Sequence, residues 1–346
     1  MEISKPTVAE LFDQRRRFVV PLYQREYVWN ADEHWSYLWD DIRTKTLELM
    51  GADGAQAVGN HFMGALVLLP QAAVRNILPY KEVIDGQQRL TSMQIVLKAL
   101  RDVAAALGVS DVEIDLRRLT QNEGRMEDPD IERHKVWPTF SDQPHYIAVA
   151  DAQAQAEIEA IFPANSRGRR QIPNKGIAAA YLYFCDEFAQ FFTTDEDGNE
   201  FGPEEVADRV NETLTALQNH FHFVCIDLDT NDDPQVIFEA LNGRGAPLLP
   251  SDLIKNFVFQ AVSGNTSTMR TLYERHWEHF DAERVAGNGE RFWKVEVKQG
   301  RLRRPRIDLF LFHYLQCRKR QDVLITELFR AFRDWWQSDA SRVAES

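Results

Sequence analysis

The sequence predicts an α+β protein, with a mixed sheet and flanking helices in its first part and a mainly helical second part. Three observations carry that expectation. Apolar runs of strand length occur at residues 18–22, 62–69 and 80–84. The last run leads directly into a helix whose Leu90, Met93, Leu97, Leu100, Ala104 and Leu107 recur at three- and four-residue spacing. From about Pro173 the pattern is mostly helical, except for HFHFVCIDL (220–228), a β-branched and aromatic alternation expected to rejoin the sheet.

Each element has its own local reason. After the strand at 18–22, Asn30 and Glu33 form a capping-box-like start for a helix carrying Trp35, Leu38, Trp39 and Ile42. Residues 51–59 read as a loop, and 113–116 as a further strand. Residues 119–138 are charged, are broken by Pro129, and read as a second loop. Asp233 is placed to cap a helix with Pro234 at its first position, ending at Leu241. Asn242, Gly243, Arg244 and Gly245 then form a tight turn. A second helix follows, burying Leu253, Ile254, Phe257 and Val258 and leaving Lys255 off that stripe. The expected division is an α/β core over 1–120 and a mainly helical part over 121–346, to which the NGRG turn belongs.

Size and composition set bounds. A chain of 346 residues is expected to form two subdomains with ample core, and 27% charged with 44% hydrophobic residues is ordinary for a globular protein. The net charge of −13 argues against a broad, non-specific DNA-binding face. Local basic runs do occur: Arg15–Arg17, then Arg167, Arg169 and Arg170, then Arg301, Arg303, Arg304 and Arg306. The last, four arginines in six residues, is the best candidate for DNA contact. Cys185, Cys225 and Cys317 are distant and form no C-x-x-C, as expected of reduced thiols in a cytoplasmic protein. The N-terminus has no signal-peptide pattern, and no stretch approaches the roughly 20 apolar residues of a membrane span. The last residues read as helix, so a longer protein with more sequence to follow is expected.

The densest chemistry lies in VIDGQQRLT (83–91): a buried strand end, an acid, a glycine, two amides and an arginine opening a helix. The helix's first N–H groups cluster around Gly86 to Arg89, where the helix dipole favours an anion such as phosphate. Arg89 can lean back over that site. A purely structural account has Asp85 capping the helix and Arg89 pairing with Asp85, but it gives the two glutamines no task. Neither a G-x-G-x-x-G nor a G-x-x-x-x-G-K-[ST] loop accompanies the site. In YQREYVW (23–29) an aromatic ring, an amide and a guanidinium can stack on a base and hold a ribose or phosphate. Asn242 and Arg244, on a tight loop, are also site candidates. Asp227, Asp229 and Asn231 start like a calcium loop, but Asp232 stands where glycine is required.

Three segments in order then carry a resemblance. VPLYQREYVWN (20–30), HFMGALVLLP (61–70) leading to VIDGQQRLTSM, and FEALNGRGAPLLPSDLIKN (238–256) look like the N-terminal domain of GmrSD-type, modification-dependent restriction enzymes. In the third segment, Leu249 stands where the family usually has a small hydroxyl residue. The resemblance implies a ParB/sulfiredoxin-like fold and one pocket that binds and hydrolyses GTP or ATP with Mg²⁺. There Tyr23, Gln24, Arg25, Gly86, Asn242, Arg244 and Lys255 would hold the nucleotide, and Arg25 and Arg89 would stabilise phosphoryl charge. Gln87 or Gln88 would orient a water, and Asp85 would hold Mg²⁺ or accept a proton. It further implies an anti-phage effector acting on modified or phage DNA. The family's usual His–Asn–His nuclease pattern is not found, so DNA cutting is expected to be absent here, to lie beyond Ser346 or to belong to a partner nuclease. Two rival readings are a metal-dependent nickase of the ParB-like fold, with Asp85 at its metal, and a non-hydrolysing nucleotide-controlled DNA switch. Self-association into a homo-oligomer stays open.

Overall fold

The protein is described from a computed structural model that covers residues 1–22, 24–52, 58–71, 78–162, 172–229, 232, 237, 249–260, 266–282, 291–299 and 302–338. Packing groups the chain into two units. Unit 1 comprises Met1–Pro21 and Glu26–Pro234; unit 2 comprises Leu22–Arg25 and Gln235–Ser346. This grouping differs from a division near residue 120 because two strands of the main sheet come from beyond it.

Unit 1 is built on a six-stranded mixed sheet of β1 (Glu2–Ser4), β2 (Arg17–Val19), β3 (His61–Pro70), β4 (Tyr80–Asp85), β5 (Val136–Trp137) and β6 (Phe221–Asp227), in the order β1-β6-β3-β4-β2-β5. β3 pairs antiparallel with β4 and parallel with β6, so the two longest apolar runs lie side by side at the centre. The edge strands β1 and β5 are only three and two residues long, which limits the exposed hydrogen-bonding edge. The strand expected at 220–228 does rejoin the sheet, as β6.

Helices in this unit are α1 (Val8–Phe12), α2 (Ser36–Met50), α3 (Gln87–Ala106), α4 (Glu113–Thr120), α5 (Pro129–Glu132), α6 (Gln143–Asp151), α7 (Gln155–Glu159), α8 (Ile177–Thr193) and α9 (Pro203–His220). A π-helical turn, Ala31–Trp35, leads into α2, and Asn30 caps it by accepting from the Glu33 N–H at 2.9 Å. Residues 113–116, expected as a strand, open α4 instead. Their alternation of acidic and apolar residues is too short for periodicity to decide, whereas Val112, Leu116 and Leu119 bury one helical face. Glu113 and Asp115 in the first turn and Arg117 and Arg118 in the last match the helix dipole. The loop expected at 119–138 also has structure: α5 starts with Pro129, and β5 pairs parallel with β2. The Asn122 amide donates to the Glu132 and Arg16 carbonyls at 3.0 and 3.1 Å, tying this segment to β2.

α3 is the central helix. Its spacing predicts one apolar face, yet every residue from Leu90 to Leu100 is buried. A helix enclosed on all sides must find partners for its polar side chains, because an unsatisfied buried polar group costs about 1–3 kcal/mol. Gln94 donates to the Leu119 carbonyl at 3.1 Å. Lys98 reaches Asp102 and the Ala152 carbonyl, and Tyr181 donates to Asp102 at 2.7 Å. Ser92 lies 2.6 Å from the Tyr27 hydroxyl, which accepts from the Trp35 indole at 3.0 Å. These bonds clasp residues 26–35, α4, α6 and α8 onto one rod.

Unit 2 contains α10 (Pro250–Gln260), α11 (Thr266–His276), α12 (Glu278–Ala282), a hairpin of β7 (Glu296–Gln299) and β8 (Leu302–Pro305), α13 (Arg306–Lys319) and α14 (Leu328–Ser338). The buried Asp308 of α13 accepts from the Ser251 N–H at 3.1 Å, so a carboxylate from one helix caps the start of another. The helix expected to end at Leu241 and the Asn242–Gly245 turn lie outside the described residues.

The Tyr27 hydroxyl gives a direct test of the clasp on α3. Tyr27→Phe leaves the buried Trp35 N–H without its acceptor and is expected to lower unfolding free energy by about 1–3 kcal/mol in a urea titration. Unchanged stability would show that this contact does not hold the 26–35 segment.

Candidate functional site

The junction of β4 and α3 is built around two glycines. Gly86 is the N-cap of α3 with φ +93°, and no side chain caps the helix. A Cβ there would meet Leu66 Cδ2 at 2.5 Å and the Ala65 carbonyl oxygen at 2.8 Å, so the backbone of β3 passes too close for any side chain. Across from it, Gly64 has φ +100° at an irregularity in β3. A Cβ on Gly64 would lie 3.0 Å from Arg89 Nε and 3.3 Å from its Cζ. The guanidinium of Arg89 thus rests over the bare backbone of Gly64, donating to the Ala65 carbonyl at 3.2 Å. Sequence reasoning passed over Gly64; a lone glycine inside a strand pattern is the signal of a bulge or of close backbone approach.

Asp85 closes β4, opposite Val67, and is half-buried. It neither caps α3 nor pairs with Arg89, so the structural account of these two residues does not hold. Among the described residues, Arg89 has only the Ala65 carbonyl as a partner, and the Asp85 carboxylate has none. A guanidinium carries five N–H donors, most of which here await an acceptor. An uncapped helix start, a half-buried arginine without a carboxylate and an unpaired acid therefore occupy one junction. That arrangement suits an anion, and specifically phosphate.

Gln88 departs from the expected water-orienting role. It is buried, and both ends of its amide are committed: Oε1 accepts from the Val28 N–H at 2.8 Å and Nε2 donates to the Glu26 carbonyl at 3.1 Å. With the Tyr27 N–H bound to Asp142 at 2.8 Å, the stretch that follows YQR is pinned at three successive residues. Gln87 is half-buried at the first position of α3.

In unit 2, Gln24 is buried and Arg25 half-buried, and the Arg25 charge acts on Asp252. Tyr23, Asn242 and Arg244 lie outside the described residues. Lys255, expected off the buried stripe of its helix, is instead buried. It pairs with Asp281 at 2.7 Å, over the Tyr273 ring at 5.0 Å, because α12 supplies an internal carboxylate. Lys294 joins the same carboxylate at 3.1 Å and approaches Asp252 at 3.8 Å. Burial alone would raise the Asp281 carboxyl, but Lys255 and then Lys294 outweigh it and hold it down at about 2. For Asp252 burial prevails and pushes the carboxyl up, against Lys294, Lys255 and Arg25. Asp281 lies 26 residues from Lys255, and no local pattern announces that pairing.

The basic runs resolve differently from one another. Arg17 is buried against Tyr80, its guanidinium 5.7 Å from the ring, and Arg15 donates to the Glu123 carbonyl at 2.9 Å. Arg306 lies 4.3 Å from the Phe292 ring and donates to the Phe292 carbonyl at 3.2 Å, a packing role and not the DNA contact expected of it. Arg303 is exposed and Arg304 half-buried, while Arg301, like Arg167, Arg169 and Arg170, lies outside the described residues. Among the described residues, no three His, Cys, Asp or Glu side chains are grouped to hold a metal. None of the described helices is long and apolar enough to cross a membrane.

Two outcomes are expected. Gly64→Ala should displace the Arg89 guanidinium and weaken anion binding at the junction, and its φ of +100° adds a stability cost of about 1–2 kcal/mol. Gly86→Ala should lower stability itself by at least about 1–2 kcal/mol, since a left-handed conformation and a clash with β3 coincide. Thermal melts and nucleotide titrations of both variants separate the two effects. In unit 2, the lowered Asp281 carboxyl contributes stability that is present above about pH 4 and is lost as pH falls toward 2. The raised Asp252 and Asp308 work in the opposite sense. Asp281→Asn should therefore lower stability near neutrality and flatten the acid limb of a stability–pH curve; an unchanged limb would deny the pairing its role.

No curated protein matches the chain in sequence. The family model described as GmrSD restriction endonuclease, N-terminal domain, matches residues 8–259, a span containing the Gly64–Arg89 junction, the YQR segment and the start of unit 2 up to α10. The chain belongs to the GmrSD restriction endonuclease N-terminal domain family.

Proposed function

We propose that this chain binds and hydrolyses a nucleoside triphosphate, GTP or ATP, as the nucleotide-dependent part of a cytoplasmic anti-phage restriction effector. Turnover would be coupled to recognition of modified or phage DNA, with cleavage by a nuclease domain C-terminal to this chain or by a partner nuclease. The observation that carries the reading is the Arg89 guanidinium. Among the described residues it has one carbonyl partner and no carboxylate, and it lies over Gly64 beside the uncapped start of α3. Membership of a restriction family supports the biological setting, and a mixed sheet feeding a central helix agrees with a ParB/sulfiredoxin-like core.

In this reading the N–H groups at the start of α3 and the Arg89 guanidinium receive the phosphates, and the charge that builds during transfer falls on Arg89. Gln87 orients the attacking water. Gln88 acts through the backbone of 26–28, as a positioning residue. Tyr23, Gln24, Arg25, Asn242 and Arg244 are the remaining candidates for nucleotide contact. Lys255 contributes by neutralising Asp281 within unit 2. Asp85 either accepts a proton or contributes a carboxylate to Mg²⁺. Its unpaired carboxylate fits an ion held largely by the nucleotide's own phosphates, the usual mode for Mg²⁺. When bound, that ion would neutralise phosphate charge.

The test is phosphate release from GTP, ATP and CTP with Mg²⁺, without DNA, by the unaltered chain and by Arg89→Ala. Turnover that falls by at least about 100-fold in the variant supports the assignment. Equal turnover in both proteins would remove Arg89 from the chemistry. Nucleotide binding without release by either would favour a nucleotide-controlled switch. DNA nicking that needs Asp85 but no nucleotide would favour the nuclease alternative.

A further inference from the structure

Charge is divided unevenly between the two units. Unit 2 contains nineteen Lys and Arg against fourteen Asp and Glu, a net of +5, leaving twenty-one against thirty-nine, a net of −18, in unit 1. The excess is densest at residues 291–306, with seven basic side chains and one acidic. A whole-chain charge of −13 therefore conceals a basic segment, and it is one that folds as a ribbon.

In that ribbon β7 and β8 pair antiparallel, with Lys298 directly opposite Arg303 and Val297 directly opposite Arg304. Residues directly opposite one another project from the same face. Lys298 and Arg303 thus share one face and are exposed, while Val297 and Arg304 share the other and are half-buried. Two like charges facing each other across strands are destabilising, by about 0.2–1 kcal/mol in the usual case. Among the described residues neither Lys298 nor Arg303 has an ion-pair partner. The neighbouring cations Lys294 and Arg306 are engaged, with Asp281 and Phe292. Among the described residues nothing offsets the cost of the exposed pair.

We propose that the exposed face of the β7–β8 ribbon, through Lys298 and Arg303, contacts the phosphate backbone of duplex DNA. Duplex DNA is the favoured polyanion because it carries about one charge per 1.7 Å of its axis and its major groove admits a two-stranded ribbon. The contact is independent of sequence, since phosphates position a protein without specifying bases. The inference rests on the DNA-effector reading above, which names no surface.

The test is fluorescence anisotropy of a short labelled duplex titrated with the full chain over a range of salt, comparing the unaltered protein with Lys298→Ala/Arg303→Ala. Both side chains are exposed, and unchanged circular dichroism and phosphate release without DNA would confirm that the variant is folded. Affinity is expected to fall about tenfold, and the log–log salt slope to become shallower by about 1.8, at roughly 0.9 per lost phosphate contact. Duplex binding by the unaltered chain with the same affinity and slope in the variant would overturn the ribbon assignment and leave the DNA reading standing. Absence of duplex binding by the unaltered chain would overturn the DNA reading, and the ribbon assignment with it. Equal loss of binding to a duplex and to anionic vesicles would mark a general polyanion surface and also overturn the assignment.

Discussion

The enclosure of α3 is the constraint on which the rest of unit 1 depends. Gln88 and every residue from Leu90 to Leu100 of α3 are buried, so the polar side chains of that stretch depend on neighbouring segments for partners. Gln88, Ser92, Gln94 and Lys98 do this in turn, fastening the 26–28 backbone, Tyr27, the end of α4 and the end of α6. The middle of the helix is thereby tied to its neighbours from Gln88 to Lys98. An anion site made of backbone N–H groups would need those groups to be already aimed.

The two glycines shape the junction at this end of α3. Gly86 lets the chain turn from β4 into α3 against the backbone of β3, and Gly64 clears the space that Arg89 occupies. A half-buried guanidinium without a carboxylate is unfavourable in a protein that merely needs to be stable, because desolvation of the charge is not offset. The opposite solution appears in unit 2, where Lys255 and Lys294 are matched to Asp281 and Asp252. One polar cluster is internally neutralised; in the other, Arg89 has no carboxylate among the described residues. The contrast lies in pairing and not in residue type, since both clusters consist of Asp with Lys or Arg.

Much of this was legible in the residues themselves. Strand-length apolar runs feeding a long periodic helix determined the β3–β4–α3 frame, the Asn30–Glu33 cap determined the start of the following helical segment, and the DGQQR spacing placed an acid and an arginine at a helix mouth. Three motifs in order determined the family. What only the tertiary structure decided was partnership. Periodicity cannot tell a helix buried on one face from one buried on all, so Gln88 read as chemistry although packing gives it a structural task. Helical spacing left Lys255 off the apolar stripe, whereas a carboxylate 26 residues away draws it inside. The short Glu-Ile-Asp-Leu alternation at 113–116 fits strand and helix until burial of Leu116 and Leu119 on one face shows a helix. Local sequence determines which conformations and charges a segment can offer; which of those charges are satisfied depends on residues distant in the chain, and that depends on how the chain packs.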